Sequence, residues 1–524
     1  MKPLPDILDL TFPQLLRHQA EVRPNTLALS ARSADGWRDR LTYAELVQRM
    51  GAMAAALAAG GCVPGNRIAV LLDNWAGREA ILTALGALRL GAVVCPLNTQ
   101  YPDPALQHAL ALIAPQIIVA TSRDTARLRK MPGDARILIV GDTSGADCTP
   151  GLETWPDPRN SIASDCPDAP NDNGILGCLL FTSGTTALPK AVMHTHRSMI
   201  GAGLCCGTAL GLKPGDIYHG GWPFFTSSGL NLGCASAWAT GGGLVFEEPL
   251  DNAGRLNLIA QEKSTFYHGV PSVIQFLIDE YPRGTYDLSS LRRVGYGGAA
   301  MPSKVIQKIN WHWPHVEQVQ FYGMTESGPS GTVLEPAMTM KKFGSVGRAM
   351  PYCDVKIIGS DGENLPLGTA GEIVLSGPAI ATGYLNNPDA TADAFRDNSV
   401  RTGDIGYLDA DGYLFFTDRL KDIINRGGLK IASIAVEEVL CRHPSISEAA
   451  VVSVPHDALG EDIGACIVAT EGCEIDLEAL AAFCTDHLAA NECPRHWRVL
   501  DMLPKNPMGK ILKTDLRELF SALD

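Results

Sequence analysis

The chain has 524 residues, more than one hydrophobic core usually organises, so two or more domains are expected, and 46% of it is hydrophobic, enough to fill them. A net charge of −14 argues against nonspecific binding to nucleic acid or acidic membrane surfaces, both of which need a basic face. The 14 cysteines make no C-x-x-C pair and no zinc-type spacing; several, such as Cys95, Cys178 and Cys466, sit in apolar segments as reduced, buried thiols do. The first residues carry no run of signal-peptide type, and the Ala-rich stretch 50–61 is too short to span a bilayer. These features predict a small-molecule enzyme of the cytoplasm with no integral membrane segment.

In chain order, Thr42, Tyr43, Ala44 and Glu45 have the form of a capping box, and the apolar residues of 46–57 repeat with helical spacing until Gly60 and Gly61. Strand 67–72, helix 78–90, strand 92–97, helix 104–111 and strand 117–120 follow, an alternation that predicts parallel sheet and an α/β class. The stretch 142–173, rich in Asp, Pro, Ser, Thr and Gly, reads as a surface connection. It leads to an apolar strand, 175–181, then a helix over 197–210, the segment 220–233, a strand at 243–246 and a second alternating unit over 256–293. After Met340 short strands at 355–358, 371–375 and 412–416, punctuated by turn dipeptides, predict a small β-rich subdomain. Beyond Asp418 about a hundred residues of mixed α and β remain, enough for a compact α+β domain. The predicted architecture is a large N-terminal region of stacked α/β subdomains plus the β-rich subdomain, 1–417, and a small domain, 418–524.

Six clusters carry chemistry. The strand ending at Phe181 delivers Thr182, Ser183, Gly184, Thr185, Thr186, Ala187, Leu188, Pro189 and Lys190. Hydroxyls and backbone N–H groups can line up on phosphate oxygens, Gly184 lets the backbone approach, and Lys190 supplies a point charge. The order is not that of a Walker loop. Tyr296, Gly297, Gly298, Ala299 and Ala300 follow an apolar strand, and their small side chains leave room for a flat ring. Tyr322, Gly323, Met324, Thr325 and Glu326 put an aromatic ring, a hydroxyl and a hard carboxylate suited to Mg²⁺ on one loop. Asp404, in Arg401-Thr402-Gly403-Asp404, could accept from both hydroxyls of a ribose. The charged run at 418–422, with Gly427 and Gly428 after it, suits a hinge. Lys510 lies in a Pro-Met-Gly-Lys loop near the carboxyl end. Singly, each is also what an ordinary turn or a solvated charge run looks like.

Taken in this order and spacing, the clusters resemble the adenylate-forming superfamily of acyl-CoA synthetases, peptide-synthetase adenylation domains and beetle luciferases. The resemblance spans nearly the whole chain. It implies that residues 182–190 form the phosphate loop, that Thr185 and Glu326 help hold Mg²⁺, and that Gly298, Ala299 and Ala300 with Tyr322, Gly323, Met324 and Thr325 receive adenine. Asp404 and Arg419 resemble the ribose contacts. Lys510 resembles the lysine that reaches the α-phosphate, and Lys421 falls on the hinge of a mobile C-terminal domain. Gly427 and Gly428 match the loop lining the thiol tunnel.

Three departures stand out. Ala187 and Ala191 occupy positions where the superfamily carries glycine, at a cost on the order of 1 kcal/mol if Ala187 needs a positive φ. Trp222, Pro223, Phe224, Phe225 and Thr226 align with a Pro-x-Phe-His pattern, so Thr226 replaces a pocket histidine. No aspartate occurs there to bind an amine, which favours a simple carboxylic acid, with Trp222, Phe224, Phe225, Thr226 and Tyr296 around the acyl group. Ser433 and Ala435 replace the Pro and Glu of a Pro-x-Glu pattern, with Ser433 expected to cap the helix that follows.

The expected activity is an ATP-dependent carboxylate–CoA ligase that uses ATP, Mg²⁺ and coenzyme A on a medium-chain, branched, alicyclic or aromatic acid. Its alternatives are an enzyme loading an acyl carrier protein, a variant forming thioester only from preformed acyl-AMP, and a sensing protein with a retired site. The oligomeric state is open.

Overall fold

The computed structural model describes residues 6–131, 133–141, 152–160, 172–182, 189–299, 301–505 and 511–521. The chain divides into two compact units, one of Met1–Val355 with Val374–Arg401, the other of Lys356–Ile373 with Thr402–Asp524. The expected boundary at 417/418 lies inside the strand Leu414–Arg419 of the second unit.

The first unit is built on two sheets. Among the described residues one has seven strands, in the order Leu152–Thr154, Arg136–Val140, Ile117–Thr121, Arg67–Leu71, Val93–Pro96, Leu176–Thr182 and Lys190–Thr195. Neighbours run parallel except the last pair. The other has nine strands, and its interior, from Glu317–Tyr322 through Arg293–Gly297, Phe266–Gly269, Ile217–Gly220 and Gly243–Phe246 to Leu27–Arg32, is parallel. This is the α/β alternation read from the sequence. The capping box is present: Thr42 Oγ1 accepts from the Glu45 N–H, and Glu45 Oε2 accepts from the Thr42 N–H at 2.8 Å, opening the helix Tyr43–Ala59. That helix packs against Gly77–Leu90 closely enough that a Cβ on Gly86 would lie 2.5 Å from Met53 Cγ. One buried cluster joins Val70, Val94 and Leu180 of the first sheet to Leu29, Tyr218, Leu244 and Phe246 of the second, so the two sheets share a main core, and each packs a further core of its own, with Leu71 and Ile118 in one and Val294 and Tyr296 in the other.

Within the connection over 142–173, the described residues 152–160 carry structure that its composition does not suggest. Leu152–Thr154 adds a parallel edge strand to Arg136–Val140, and Trp155 buries its ring while its Nε1–H donates to Thr83 Oγ1 at 2.9 Å. Burial of one large ring with a satisfied N–H anchors a stretch whose three-residue strand is too short to show a period.

The second unit carries its own sheet, Leu429–Ile431, Ile424–Arg426, Gly460–Ala469 and Ile446–His456, with His496–Val499 parallel to Gly460–Ala469. Alternate residues of Ile446–His456 go to opposite faces: Ala449 and Val451 meet Val436, Leu440 and Leu480 of two helices, while Ala450 and Val452 meet Leu516 and Phe520 of a third. Ser433 is not the N-cap expected of it. The Asp418 carboxylate caps Ser433–Leu440 instead, accepting from the Ser433 N–H and, at 2.8 Å, from its hydroxyl. A proline at 433 could give neither bond.

Among the described residues no helix is long and apolar enough to cross a membrane. The described cysteines are all free thiols, and Cys95, Cys178 and Cys466 are buried.

Candidate active site

The two ends of the segment expected to hold phosphates are fixed side by side. Leu176–Thr182 and Lys190–Thr195 pair antiparallel with Thr182 opposite Lys190. Ser183, Gly184, Thr185, Thr186, Ala187 and Leu188 lie outside the described residues. Ala191 is fully buried, opposite Phe181, and has no left-handed backbone, so alanine in place of glycine at 191 imposes no φ strain. Lys190 Nζ sits 5.0 Å from the centre of the Tyr384 ring.

The Tyr322–Glu326 loop leaves the C-terminal end of a parallel strand, where ligand sites of open α/β sheets form. Gly323 is required by close approach, since a Cβ there would lie 2.3 Å from the Pro329 carbonyl oxygen. The turn that follows buries Glu326, and Tyr384 Oη–H donates to Glu326 Oε1 at 2.9 Å. His194 steadies the turn, its Nε2–H donating to the Thr325 carbonyl at 2.9 Å and its Nδ1 lying 3.2 Å from Ser198 Oγ. Burial lowers the His194 imidazole to about 4 and keeps it neutral. The Ala381 N–H donates to the Glu326 carbonyl at 2.9 Å. The first unit thereby brings together Lys190, Glu326, Tyr384 and His194. The last two were not singled out in the sequence. A lone Tyr after Gly383 and a His four residues past Lys190 carry no pattern that marks them.

Gly297 lies opposite Phe321 in the parallel register, which places Gly298 beside Tyr322. Gly298 has φ 80° and open space where a Cβ would point. A Cβ on Gly297 would come within 2.8 Å of the Phe321 carbonyl, so both glycines answer to backbone geometry. Ala299 follows; Ala300 lies outside the described residues.

The residues expected around an acyl group differ in exposure. Phe224 is buried in the main core edge-on to Phe246, and Tyr296 is fully buried in a second core. Trp222, Phe225 and Thr226 are half-buried. The Trp222 ring lies 4.7 Å from that of His268. Thr226 Oγ1 donates to the Pro223 carbonyl at 2.7 Å and accepts from the Gly229 N–H at 3.0 Å, a local turn that opens the wide helix Ser228–Cys234. Its hydroxyl is committed to that turn.

In the second unit Asp404 and Arg419 are cross-strand partners, with Arg419 Nε 3.4 Å from Asp404 Oδ1. Thr402 Oγ1 accepts from the Asp404 N–H at 3.1 Å, and Gly403 takes φ 69°. Gly427 and Gly428, at φ 59° and 90°, form the two-residue turn joining Ile424–Arg426 to Leu429–Ile431, both in the conformation that favours glycine. Lys421 is exposed, and Asp422 beside it pairs with Arg517 at 2.7 Å. Lys510 lies outside the described residues.

Among the described residues no group of three or more His, Cys, Asp or Glu could hold a metal by itself. One buried carboxylate, Glu326, fits Mg²⁺, which commonly takes one or two carboxylates and completes its shell with substrate phosphates and water.

Residues 16–385 match the AMP-binding enzyme family, and residues 435–510 match the AMP-binding enzyme C-terminal domain. The chain is 34% identical over 483 residues to feruloyl-CoA synthase of Amycolatopsis sp, covering 92% of this chain and 94% of that one. It is 33% identical over 515 residues to the long-chain-fatty-acid–CoA ligase FadD13 of Mycobacterium tuberculosis, covering 97% and 98%. The crystal structure of ATP-bound MatB from Rhodopseudomonas palustris superposes with a TM-score of 0.83 at 26% identity, covering 97% of this chain and 99% of that one. The chain belongs to the AMP-binding enzymes, the adenylate-forming family of AMP-forming acyl-CoA synthetases.

Proposed function

We propose that the protein is an ATP-dependent carboxylate–CoA ligase acting on a medium-chain, branched, alicyclic or aromatic acid. The observation that carries this reading is the meeting of Lys190 and Glu326 on one side chain, Tyr384, at the base of the hydroxyl-rich loop. A cation and a hard carboxylate there suit a polyphosphate and its counter-ion.

A carboxylate is a poor acyl donor because its leaving group would be oxide. Its oxygen therefore attacks the α-phosphorus of ATP, forming acyl-AMP and releasing pyrophosphate. The task is positioning and electrostatics. Lys190 and the loop 182–190 hold the phosphates; Lys510 carries charge to the α-phosphate; Glu326 and Thr185 would hold Mg²⁺, which would supply neutralisation of phosphate charge. Gly298 and its neighbours with Tyr322 receive adenine, and Asp404 with Arg419 the ribose. The thiol of coenzyme A then attacks the acyl carbonyl and expels AMP, with the small C-terminal domain turning about Lys421 so that Gly427 and Gly428 line the thiol's path. The half-buried Trp222 and Phe225, the absence of an aspartate over 220–233, and relatives named for feruloyl and long-chain fatty acid substrates support an apolar acid without an amine.

The test is ATP–pyrophosphate exchange across a panel of carboxylic acids, first without and then with coenzyme A, alongside Lys510→Ala. Acid-dependent exchange that falls at least about 100-fold in Lys510→Ala is expected, followed by acyl-CoA on adding the thiol. No exchange with any acid, together with thioester from synthetic acyl-AMP and coenzyme A, would reduce the enzyme to its second half-reaction. Thioester on a carrier-protein arm but not on coenzyme A would replace the acceptor.

A further inference from the structure

Tyr384 touches both groups to which the proposed function gives the phosphates and the metal. Its ring faces Lys190 Nζ at 5.0 Å, and its hydroxyl donates to Glu326 Oε1 at 2.9 Å. The backbone beneath it is locked. Residues 382–385 lie beside Lys190–Thr195 through a bridge between Val192 and Tyr384, a Leu385 N–H bond to the Ala191 carbonyl at 2.9 Å and a Thr382 N–H bond to the Met193 carbonyl at 2.9 Å. The Tyr384 N–H donates to Thr391 Oγ1 at 2.9 Å, and the Phe395 ring meets the Tyr384 ring edge-on at 5.3 Å. Even the preceding residue has no latitude, because a Cβ on Gly383 would lie 2.4 Å from Thr391 Cγ2.

We infer that Tyr384 is a positioning residue for adenylation: its ring seats the lysine of the phosphate loop and its hydroxyl orients the metal-binding carboxylate, so one side chain sets both charges. The inference rests on the reading of Lys190 and Glu326 given above. A ring quadrupole attracts an ammonium without neutralising it, so Lys190 is held near its working place yet able to turn to a phosphate oxygen. A hydroxyl on one carboxylate oxygen sets the plane in which the group meets a cation, much as outer partners orient metal ligands elsewhere. A residue serving only packing would show neither effect separately, since Phe fills nearly the same volume.

Calorimetric binding of α,β-methylene-ATP over a Mg²⁺ titration, in wild type, Tyr384→Phe and Tyr384→Leu, separates the two contacts without turnover. For Tyr384→Phe, the Mg²⁺ concentration at half-maximal binding rises about five- to tenfold, while affinity at saturating Mg²⁺ stays within about twofold. Tyr384→Leu, which also removes the ring under Lys190, weakens binding at saturating Mg²⁺ by about three- to tenfold more. Thermal melting checks that each variant is folded, and the Phe variant alone decides the hydroxyl's part if the Leu variant is not. An unchanged Mg²⁺ dependence in Tyr384→Phe overturns the inference, as does equal binding by the Phe and Leu variants at saturating Mg²⁺. If wild type binds no analogue at any Mg²⁺ concentration, the ATP-dependent reading falls, and this inference with it.

Discussion

His194 shows how a single residue ties the site to the stability of the fold. Burial lowers His194 and His196 to about 4 and His268 to about 3, so all three are neutral in the folded protein. In the unfolded chain they titrate near 6.5. Between those values the unfolded state binds more protons, so stability present at neutral pH is lost as pH falls below about 6.5, on the order of 3 kcal/mol for His194 or His196, and more for His268, by the time the folded pKa is reached. Burial raises the carboxyls of Glu79 and Glu437, which work in the opposite sense. The clean readout is therefore a difference. In urea denaturation the advantage of wild type over His194→Gln should shrink by about 1.4 kcal/mol per pH unit between pH 6.5 and 4.5. A constant difference across that range would show that His194 is not held neutral.

At the scale of elements, what was legible in the sequence was local. Thr42 and Glu45 are three residues apart and cap one helix, so their pattern is readable without knowing any neighbour. The parallel strands Arg67–Leu71, Val93–Pro96 and Ile117–Thr121 were legible because each is a largely apolar run beside a helix. The cap on Ser433–Leu440 was not, because donor and acceptor sit on different elements, 15 residues apart, and only folding brings Asp418 to the Ser433 N–H and hydroxyl. Asp418 also accepts from the Arg419 N–H, and Ser433 Oγ in turn accepts from Lys513 Nζ at 2.6 Å, so the carboxylate joins the strand before Lys421 to two helices. Asp418→Ala leaves buried donors without partners and should cost about 2 kcal/mol. Amide hydrogen exchange over 433–440 should then speed up on the order of 30-fold, while the strands of the first unit keep their protection. Unchanged exchange over 433–440 would mean that Asp418 is not the cap.

For the whole molecule, the order of six clusters along 524 residues identified the family where no one cluster could, because each taken alone is also a common turn. The same reading missed Tyr384, whose partner Glu326 is 58 residues away and whose other contact, Lys190, lies on a different sheet from the strand before Glu326. Pairings of that kind follow from topology, and a single sequence does not display them. The chemistry assigned to the whole is attack of a carboxylate oxygen on the α-phosphorus, followed by cleavage of the acyl carbon–oxygen bond by a thiol. One consequence is specific to that route: the attacking oxygen leaves with AMP. The decisive measurement is turnover of an accepted acid labelled with ¹⁸O in both carboxylate oxygens, with mass analysis of AMP and pyrophosphate. The account predicts one ¹⁸O in each AMP and none in pyrophosphate; unlabelled AMP, or label in pyrophosphate or inorganic phosphate, would contradict it.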